Sequence, residues 1–289
     1  MKVLVTGSKG MIGKEVVSEL KNNNINTIEF DKKNNGDILD EKKLNEKMKG
    51  VDVIIHLAGI IDEKNPDLWK INVEGTKKVL QSAINAKAKK IIFLSSTAVY
   101  GNTKSPVDED TKINPQNNYG KSKAEGEKII LSAKNKINVC VIRSAMVFGL
   151  NEYWKKMIKM LEKKYPLPTS GKNTYQIIYS KELARAIITV IKKGKNGEIY
   201  LIAGNEKPTL NEFCEMIQEE KGLEKKINHV PTWIGIIIGK IFRIKLLAPE
   251  NIKHISKERN YNTTKIKKLG WRQKTPLREA IKEVIRKTD

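Results

Sequence analysis

The stretch KVLVTGSKGMIG at residues 2–13 decides the fold. A short β-branched run over 2–6 leads into three glycines spaced three apart, and apolar residues then recur at helical spacing over 11–21. Glycines between a strand and a helix let the backbone approach a pyrophosphate, and the helix start offers free N–H groups to it. A tight loop without a ligand has the same glycines, but the strand-turn-helix order favours a dinucleotide site. The residues expected to contact the dinucleotide here are Gly7, Gly10, Met11, Ile12 and Gly13.

Strand and helix patterns alternate through the first half of the chain. Further strands are predicted over residues 27–30, 51–56, 91–95 and 139–143, and helices over 40–48, 66–87 and 117–134. Such alternation requires right-handed crossovers between parallel strands. The sequence therefore predicts an α/β fold with a doubly wound parallel sheet covered by helices on both faces.

The pattern becomes less regular beyond Gly149. Helices are predicted over 151–164, 181–193, 209–221, 263–269 and 276–287, with short strands near 176–179 and 198–202. We expect residues 1–150 to form a cofactor-binding domain and residues 151–289 a smaller α/β substrate-binding region. Because no linker separates them, the chain can cross between the two more than once.

The balance of charge is strongly basic, with 55 Lys and Arg against 33 Asp and Glu and a net charge of +22. Such an excess is typical of proteins that bind polyanions. However, only 7 of the basic residues are Arg, and the Lys residues are spread evenly without interleaved aromatic residues. We therefore expect no nucleic-acid partner and interpret the lysines as a compositional bias.

The two cysteines, Cys140 and Cys214, lie far apart and form no metal-binding or disulfide pattern. We expect buried free thiols and no metal site. The chain opens with a strand pattern rather than a signal peptide, and Lys240 interrupts the longest apolar stretch. These features predict a cytoplasmic protein without stable membrane insertion.

Asp31 follows the second predicted strand, twenty-one residues after Gly10. An acidic side chain at this place can accept both hydroxyls of an adenosine ribose, which favours NAD over NADP. Two alternatives stay open: Asp31 can simply cap a loop, and Lys32 and Lys33 beside it can receive a 2′-phosphate.

The glycine spacing GxxGxxG begins a series of motifs that resembles the extended branch of the short-chain dehydrogenase/reductase superfamily, the NAD-dependent epimerases and dehydratases. The series comprises TGSKGMIG at 6–13, GDI at 36–38, HLAG at 56–59, NVEGT at 72–76, FLSSTAVYG at 93–101, YGKSK at 119–123 and RSAMVFG at 143–149, with a weaker match in LGWR at 269–272. The resemblance implies a Rossmann sheet and a nicotinamide cofactor. It also assigns Asp37 and Ile38 to the adenine pocket, Leu57, Ala58 and Gly59 to the wall beneath the cofactor, and a structural role to Asn72.

Tyr119 and Lys123 are four residues apart on a predicted helix, so their side chains share one face. The ammonium of Lys123, aided by an oxidised nicotinamide, is expected to lower the phenol pKa so that Tyr119 acts as the base. By the resemblance, Ser96 is the catalytic hydroxyl because it stands three residues before Val99 of the VYG element. Ser95 is expected to be a cofactor or structural contact, and Lys123 also to bind the nicotinamide ribose.

Two departures from the family pattern bear on the substrate. Dehydratases of this branch carry an Asp-Glu pair where Thr97 and Ala98 stand, which argues against a sugar 4,6-dehydratase. Met146 stands where nucleotide-sugar enzymes commonly have Asn, and Tyr175 where they have an Arg near the substrate diphosphate. Met146 and Tyr175 are therefore, with Ser96 and Tyr119, the expected substrate contacts.

The apolar segment from Trp233 to Leu247, with Lys240, Arg243 and Lys245, has two interpretations. One is a basic, tryptophan-bearing helix on a membrane surface, with access to a lipid-linked substrate. The other is a packed lid helix, which we favour because the charges do not fall on one clean face.

Our leading functional hypothesis is an NAD-dependent nucleotide-sugar epimerase acting at C4 through a transient ketone. The alternative is a reductase similar to dihydroflavonol or hydroxysteroid enzymes, which Met146 and Tyr175 suit. A third is a dinucleotide-binding scaffold without catalysis. The resemblance also implies a homodimer formed through the helices near 66–87 and 117–134.

Overall fold

The computed structural model describes residues 1–241 and 247–288, and it divides into two compact units. The first unit consists of Met1–Met146, Ser180–Ala203 and Asn262–Arg272. The second unit consists of Val147–Tyr179, Gly204–Tyr261 and Gln273–Asp289. The first exchange between units therefore falls close to the predicted boundary at residue 150, and two later stretches of chain return to the first unit.

The secondary structure alternates between strands and helices as far as residue 144. The strands are β1 (Lys2–Thr6), β2 (Asn26–Phe30), β3 (Val53–His56), β4 (Lys90–Ser96), β5 (Asn138–Ser144), β6 (Val147–Phe148), β7 (Ile178–Tyr179) and β8 (Glu198–Ile202). The helices are α1 (Met11–Asn22), α2 (Glu41–Lys47), α3 (Gly75–Asn85), α4 (Asn118–Ser132), α5 (Glu152–Glu162), α6 (Ser180–Lys193), α7 (Leu210–Glu220), α8 (Thr232–Ile241), α9 (Pro249–Ile255), α10 (Thr264–Lys268) and α11 (Leu277–Ile285).

A six-stranded parallel sheet forms the centre of the first unit, in the order β2-β1-β3-β4-β5-β8. Side chains on both faces of its inner strands are buried, as in Val53–His56 and in Ile91–Ser95 of β4. Helix α1 packs against α6, whereas α3 packs against α2 and α4. The predicted doubly wound α/β fold is confirmed, since helices cover a parallel sheet whose strands are joined by crossovers.

The core on the α2, α3 and α4 side is aliphatic. Leu44 and Met48 at the end of α2 and Val79 of α3 are fully buried in it together with Ile54 of β3 and Ile91 of β4. Burial of such side chains stabilises the fold by about 1.5–3 kcal/mol each. This core fixes the strands, and the strand ends position the residues of the candidate site.

The second unit is built around aromatic side chains and a two-stranded parallel sheet of β6 and β7. Phe148, Trp154 and Phe213 meet edge to face, with ring centroids 5.0 to 5.7 Å apart. The Trp154 indole Nε1 donates a hydrogen bond to the Val147 carbonyl at 2.8 Å, which satisfies the one polar atom of a buried ring.

Two elements differ from the sequence-based expectation. The strand near 198–202 joins the large parallel sheet beside β5 rather than the second unit, because α6 returns the chain to the sheet edge. The helix expected over 66–87 begins with a π-helical turn at Lys70–Glu74 before α3. Wide turns of this kind often lie at functional sites.

Candidate functional site

The candidate site of the first unit lies at the carboxyl ends of β1, β3 and β4. The strand order reverses between β1 and β3, because β2 lies on one side of β1 and the later strands follow beyond β3. In open parallel sheets, ligands bind in the crevice outside the strand ends at such a reversal. The segments that follow these strands here are the glycine turn, Leu57–Gly59 and Ser96 with the turn after it.

The glycine turn has room for hydrogen atoms only at two of its positions. Gly7 has a φ of 70°, and a Cβ placed there would lie 2.7 Å from the Ala58 nitrogen. A Cβ at Gly13 would lie 2.1 Å from the Gly7 oxygen. Gly10 is exposed, and its Cβ would meet only the Gly7 oxygen, at 3.3 Å. The turn is therefore packed tightly against Ala58 and is open at Gly10.

Helix α1 starts at this open end without a side-chain cap. Gly10 is the N-cap residue, no side chain accepts a hydrogen bond there, and the first turn holds no acidic residue. Met11 and Ile12 of this turn are partly exposed. A helix start of this kind suits an anion, because its dipole and N–H groups favour negative charge. The turn thus fits the pyrophosphate of a dinucleotide.

Asp31 ties the glycine turn to the end of β2. Its carboxylate accepts hydrogen bonds from the backbone N–H groups of Lys9 at 3.0 Å and Lys33 at 2.9 Å. Asp31 is therefore a capping residue, as one alternative held. Each carboxylate oxygen has further acceptor capacity and the side chain is partly exposed, so ribose binding stays a prediction. Lys32 beside it is exposed.

The residues expected around the adenine and beneath the cofactor differ in exposure. Asp37 is partly exposed and accepts a hydrogen bond from the Leu39 N–H, whereas Ile38 is buried against Gly75. Leu57 and Ala58 are partly exposed and their N–H groups donate to the Thr6 hydroxyl. A Cβ at Gly59 would lie 3.1 Å from Asn72 Oδ1 and 3.4 Å from Lys123 Nζ. Gly59 therefore lies beside the predicted catalytic lysine.

His56, at the end of β3, connects the glycine turn with α3. Its Nδ1 lies 2.7 Å from the Thr6 hydroxyl and its Nε2 lies 3.0 Å from the Thr76 hydroxyl. Since the Thr76 hydroxyl donates to the Asn72 carbonyl at 2.7 Å, it accepts from His56, and Nε2 carries the proton. Burial, and then the charge of Lys123, lowers the pKa of His56 to about 3, so the ring is neutral.

Asn72 continues this chain of hydrogen bonds to α4. Its Oδ1 accepts from the Ile60 N–H at 2.7 Å, and its Nδ2 donates to the Ile60 carbonyl at 2.9 Å and to the Ser122 hydroxyl at 3.0 Å. The Ser122 hydroxyl in turn donates to the Tyr119 carbonyl at 2.8 Å. We call the chain Thr6, His56, Thr76, Asn72 and Ser122 the neutral relay.

The three predicted catalytic residues lie together. Ser96 ends β4 and its hydroxyl oxygen accepts a hydrogen bond from the Ala98 N–H at 3.1 Å. The Ser96 hydroxyl lies close enough to the Tyr119 phenol to lower its pKa. Lys123 is buried one helical turn after Tyr119, and its ammonium donates to the Leu94 carbonyl at 2.8 Å above the Phe93 ring. All three side chains are positioned by β4 and α4.

The electrostatics of this group differ from the expectation. Burial raises the pKa of the Tyr119 phenol, and the nearby Ser96 hydroxyl lowers it by less. Burial also lowers the pKa of Lys123 to about 8, while the nearby Glu127 carboxylate acts in the opposite direction. Within the chain alone, desolvation therefore sets the direction of the shift at Tyr119, and the phenol keeps its proton at neutral pH.

A second buried group, which we call the charged network, lies further along α4. Glu127 and Arg143 form an ion pair of 2.8 Å with both side chains buried, and Ser95 donates to the Glu127 carboxylate. Arg143 also donates to the Tyr100 hydroxyl at 3.1 Å and to the Glu109 carbonyl at 3.0 Å. Ser95 was expected to be a cofactor contact or a structural contact. Its hydrogen bond to Glu127 is a structural contact.

The residues expected near the substrate lie in different environments. The two positions after Ser96 are Thr97 and Ala98, so neither is a carboxylate. Thr97 is buried and Ala98 is partly exposed. Met146 is partly exposed. Tyr175 is fully buried in the second unit, where it packs against Phe213 and beneath the Arg259 guanidinium, 5.8 Å from the ring centroid.

The pKa of the Tyr175 phenol is affected by burial and by a neighbouring charge. Burial raises the pKa of the Tyr175 phenol well above its ordinary value, and the Arg259 guanidinium opposes this. The backbone of Tyr175 is paired with Arg259 through an isolated bridge. Arg259 is therefore a buried cation next to Tyr175.

The sequence interpretation missed the roles of His56, Glu127, Arg143 and Arg259. His56 and Arg143 stand inside matched motifs, HLAG and RSAMVFG, but their partners come from distant elements. Glu127 lies four residues after Lys123, and this helical spacing is a signal that could have identified it.

Comparison with known proteins agrees with this geometry. The model of the NAD dependent epimerase/dehydratase family matches residues 3–203. The chain therefore belongs to this family, and the resemblance to the extended short-chain dehydrogenase/reductase superfamily is confirmed. Its members are enzymes that use a nicotinamide dinucleotide, so the protein is an enzyme of this type.

Relatives extend along nearly the whole chain. A putative UDP-glucose 4-epimerase of Methanocaldococcus jannaschii is 32% identical over 98% of this chain and 97% of its own. A dTDP-D-glucose 4,6-dehydratase of Homo sapiens is 28% identical over 98% of this chain and 89% of its own. The crystal structure of a Thermotoga maritima UDP-glucose 4-epimerase with UDP-glucose has a TM-score of 0.83 at 23% identity, covering 100% of this chain and 99% of its own. The last comparison bears on the fold, which is the Rossmann fold expected from the motifs.

Over residues 1–241 and 247–288, no group of three His, Cys, Asp or Glu side chains could hold a metal ion. Within the same ranges, no helix is both long and apolar enough to cross a membrane. Cys140 and Cys214 are buried free thiols, and burial raises their pKa to about 11 and about 12.

Proposed function

We propose that this protein is an NAD-dependent epimerase of nucleotide sugars that acts at C4. The observation that carries the proposal is the grouping of Ser96 and Tyr119 at the end of β4, with Lys123 buried one turn further along α4. A phenol and a hydroxyl that meet at this edge can hold one substrate oxygen between them while hydrogen leaves the attached carbon.

In the proposed reaction, Ser96 donates a hydrogen bond to the C4 oxygen and Tyr119 accepts the C4 hydroxyl proton. The C4 hydrogen leaves with its electron pair, which gives a ketone. When bound, the nicotinamide supplies a reversible acceptor for this hydride. The ketone then rotates in the site so that its opposite face is presented. The hydride returns to C4 on that face, and Tyr119 gives back the proton. The sugar is neither oxidised nor reduced overall.

Because its pKa is raised, Tyr119 needs nearby positive charge before it can lose its proton and act as the base. Burial keeps the phenol protonated in the chain alone. The positive charges that can favour the phenolate are the Lys123 ammonium and the oxidised nicotinamide ring. Tyr119 therefore becomes a base only in the complex with the oxidised cofactor, and proton removal is tied to hydride transfer.

The preference for NAD rests on Asp31. Its carboxylate is fixed at the end of β2 by the N–H groups of Lys9 and Lys33, where it would accept the ribose hydroxyls and repel a 2′-phosphate. The Asp31→Ala variant should bind NAD more weakly and NADP more tightly than the natural protein, as measured by calorimetry. Equal or tighter NAD binding by the variant would contradict this preference.

Epimerisation is favoured over dehydration because Thr97 and Ala98 cannot serve as the acid and base that eliminate water. A second candidate, a reductase acting on a less charged carbonyl compound, is supported by Met146 and by the buried Tyr175 in place of an arginine. Net consumption of NADH or NADPH distinguishes the two, since the epimerase reaction returns its hydride.

The test is to incubate the protein with NAD and a panel of UDP-hexoses and to read the products by NMR. We expect a C4 stereoisomer without net formation of NADH. Tyr119→Phe should reduce this activity by about three orders of magnitude with NAD binding retained. Tyr165→Phe, which changes an exposed tyrosine, is the matched control. Reduction of a ketone with no stereoisomer from any sugar would overturn the proposal in favour of the reductase.

A further inference from the structure

Helix α8 of the second unit packs with its glycines inward, and three of its large side chains are exposed while Ile234, Ile236 and Ile238 are partly buried. Gly235 and Gly239 are buried. A Cβ at Gly235 would lie 2.3 Å from Pro168 Cβ, and one at Gly239 would lie 2.6 Å from Leu247 Cβ. At these two positions the helix backbone lies directly against the protein, and there is no room for side chains.

The opposite distribution holds for the bulky residues. Trp233, Ile237 and Ile241 have exposed fractions of 64%, 46% and 67%. Their spacing of four residues places them along one face of the helix. A helix on the surface of a globular protein normally turns such residues toward the core. The packed lid helix favoured from the sequence therefore explains the buried glycines of α8, but it does not explain the three exposed side chains.

The sequence around α8 is rich in positive charge. The sequence from Lys225 to Pro249 contains five basic residues and no acidic residue, although the whole chain holds 33 Asp and Glu. Lys226 and Lys240 are exposed, whereas Lys225 pairs with Glu219 at 3.0 Å, and Glu224 and Glu250 bound this stretch of sequence. Arg243 and Lys245 lie outside the described residues. An apolar stripe with a tryptophan and an excess of cationic residues nearby has the composition of a helix that lies in the interface of an anionic membrane.

We propose that the exposed stripe Trp233, Ile237 and Ile241 docks α8 onto an anionic phospholipid surface. The three side chains enter the headgroup boundary, and the lysines remain at the level of the lipid phosphates. The helix has 10 residues, too few to span a bilayer, so the attachment is peripheral and reversible. A second copy of the chain fits this face poorly, because it would bring the same positive charges together. The proposal is independent of the sugar chemistry proposed above.

The test uses the full chain in flotation with two kinds of vesicle, phosphatidylcholine alone and phosphatidylcholine with 30 mol% phosphatidylglycerol. We expect flotation with the anionic vesicles, little with the neutral ones, and release by high salt. Trp233→Ser/Ile237→Ser should weaken the association about 30-fold or more, because it removes most of the inserted apolar area.

Two further variants keep the test decisive. Lys240→Glu changes an exposed residue and should weaken binding to anionic vesicles roughly 25-fold, since reversal removes one attraction and adds one repulsion. Ile61→Ser/Trp69→Ser, which removes two exposed apolar residues of the first unit, is the matched control and should float like the natural protein. Thermal unfolding of each variant verifies that it folds.

Three outcomes would overturn the proposal. One is the absence of flotation with anionic vesicles, and another is equal flotation with neutral ones. The third is concentration-dependent self-association in sedimentation that Trp233→Ser/Ile237→Ser abolishes, because a second copy would then be what covers the stripe. Loss of flotation in Lys240→Glu with a folded protein would support the proposal even if the double variant failed to fold.

Discussion

Two buried polar networks hold helix α4, and they differ in charge. The neutral relay runs from Thr6 through His56 to Ser122 and consists of hydroxyl, imidazole and amide groups with no net charge. The charged network joins Glu127 of α4 to Arg143 of β5 through a desolvated ion pair. The relay reaches the backbone of Tyr119, whereas the charged network lies one helical turn after Lys123.

The difference indicates that the two networks have different roles along helix α4. In the relay each donor has one acceptor, so its order is fixed without a charge that would perturb the pKa of the catalytic group. In the charged network each ion depends on the other, because removal of one leaves an uncompensated buried charge. The relay therefore sets position, and the charged network makes the helix depend on a long-range partner.

Arg143→Met should have the largest effect on stability. The substitution removes the ion-pair partner of the buried Glu127 carboxylate. Of the charged network, only Ser95 then donates a hydrogen bond to Glu127. We expect the free energy of unfolding in urea to fall by about 3–5 kcal/mol. The control is Arg278→Met, which breaks an exposed ion pair with Glu219 and should leave stability nearly unchanged. Similar losses in both variants would contradict the distinction between buried and exposed charge.

His56→Gln should change the dependence of stability on pH. The pKa of His56 is lowered to about 3 in the native protein, so below pH 6.5 the unfolded chain binds a proton that the native chain does not. Stability is therefore lost as the pH falls, by about 2 kcal/mol between pH 7 and pH 5 from this group alone. In the variant, urea unfolding over the same range should lack this part of the loss. An unchanged slope would show that the ring is not a neutral member of the relay.

Thr76→Val should have a smaller effect that is specific to the relay. It removes the hydroxyl that accepts from His56 and donates to the Asn72 carbonyl, and it keeps the shape of the side chain. The cost should be about 1–2 kcal/mol in unfolding free energy, with a several-fold loss in kcat because Asn72 contacts Ser122 of α4. Thr76→Ser retains the hydroxyl and should retain kcat. A loss of kcat equal in both variants would assign the effect to the methyl group instead.

The sequence was sufficient for the elements whose signals are local. The β-branched run before Gly7, the glycine spacing and the Tyr119–Lys123 spacing each predict their structure from neighbouring residues, and the fold confirms them. The strand at 198–202 was recognised, but its place beside β5 was not, because strand order depends on crossovers that composition does not record.

The remaining features depend on partners far apart in the chain. His56 is a single buried polar residue at the end of an apolar strand, and Thr6 and Thr76 become its neighbours only through the pairing of β1 with β3 and the packing of α3. The raised pKa of Tyr119 could not be predicted from its spacing to Lys123, because it results from burial of the phenol, which depends on the whole fold.

The most direct test of the proposed epimerisation follows the C4 hydrogen. A UDP-hexose carrying deuterium at C4 is incubated with the protein and NAD in ordinary water, and the product is examined by NMR and mass spectrometry. If the hydride leaves C4 and returns to the same carbon, the epimer retains the deuterium. An epimer whose C4 carries hydrogen from water would contradict the account, because the inversion would then proceed by proton exchange rather than by hydride transfer.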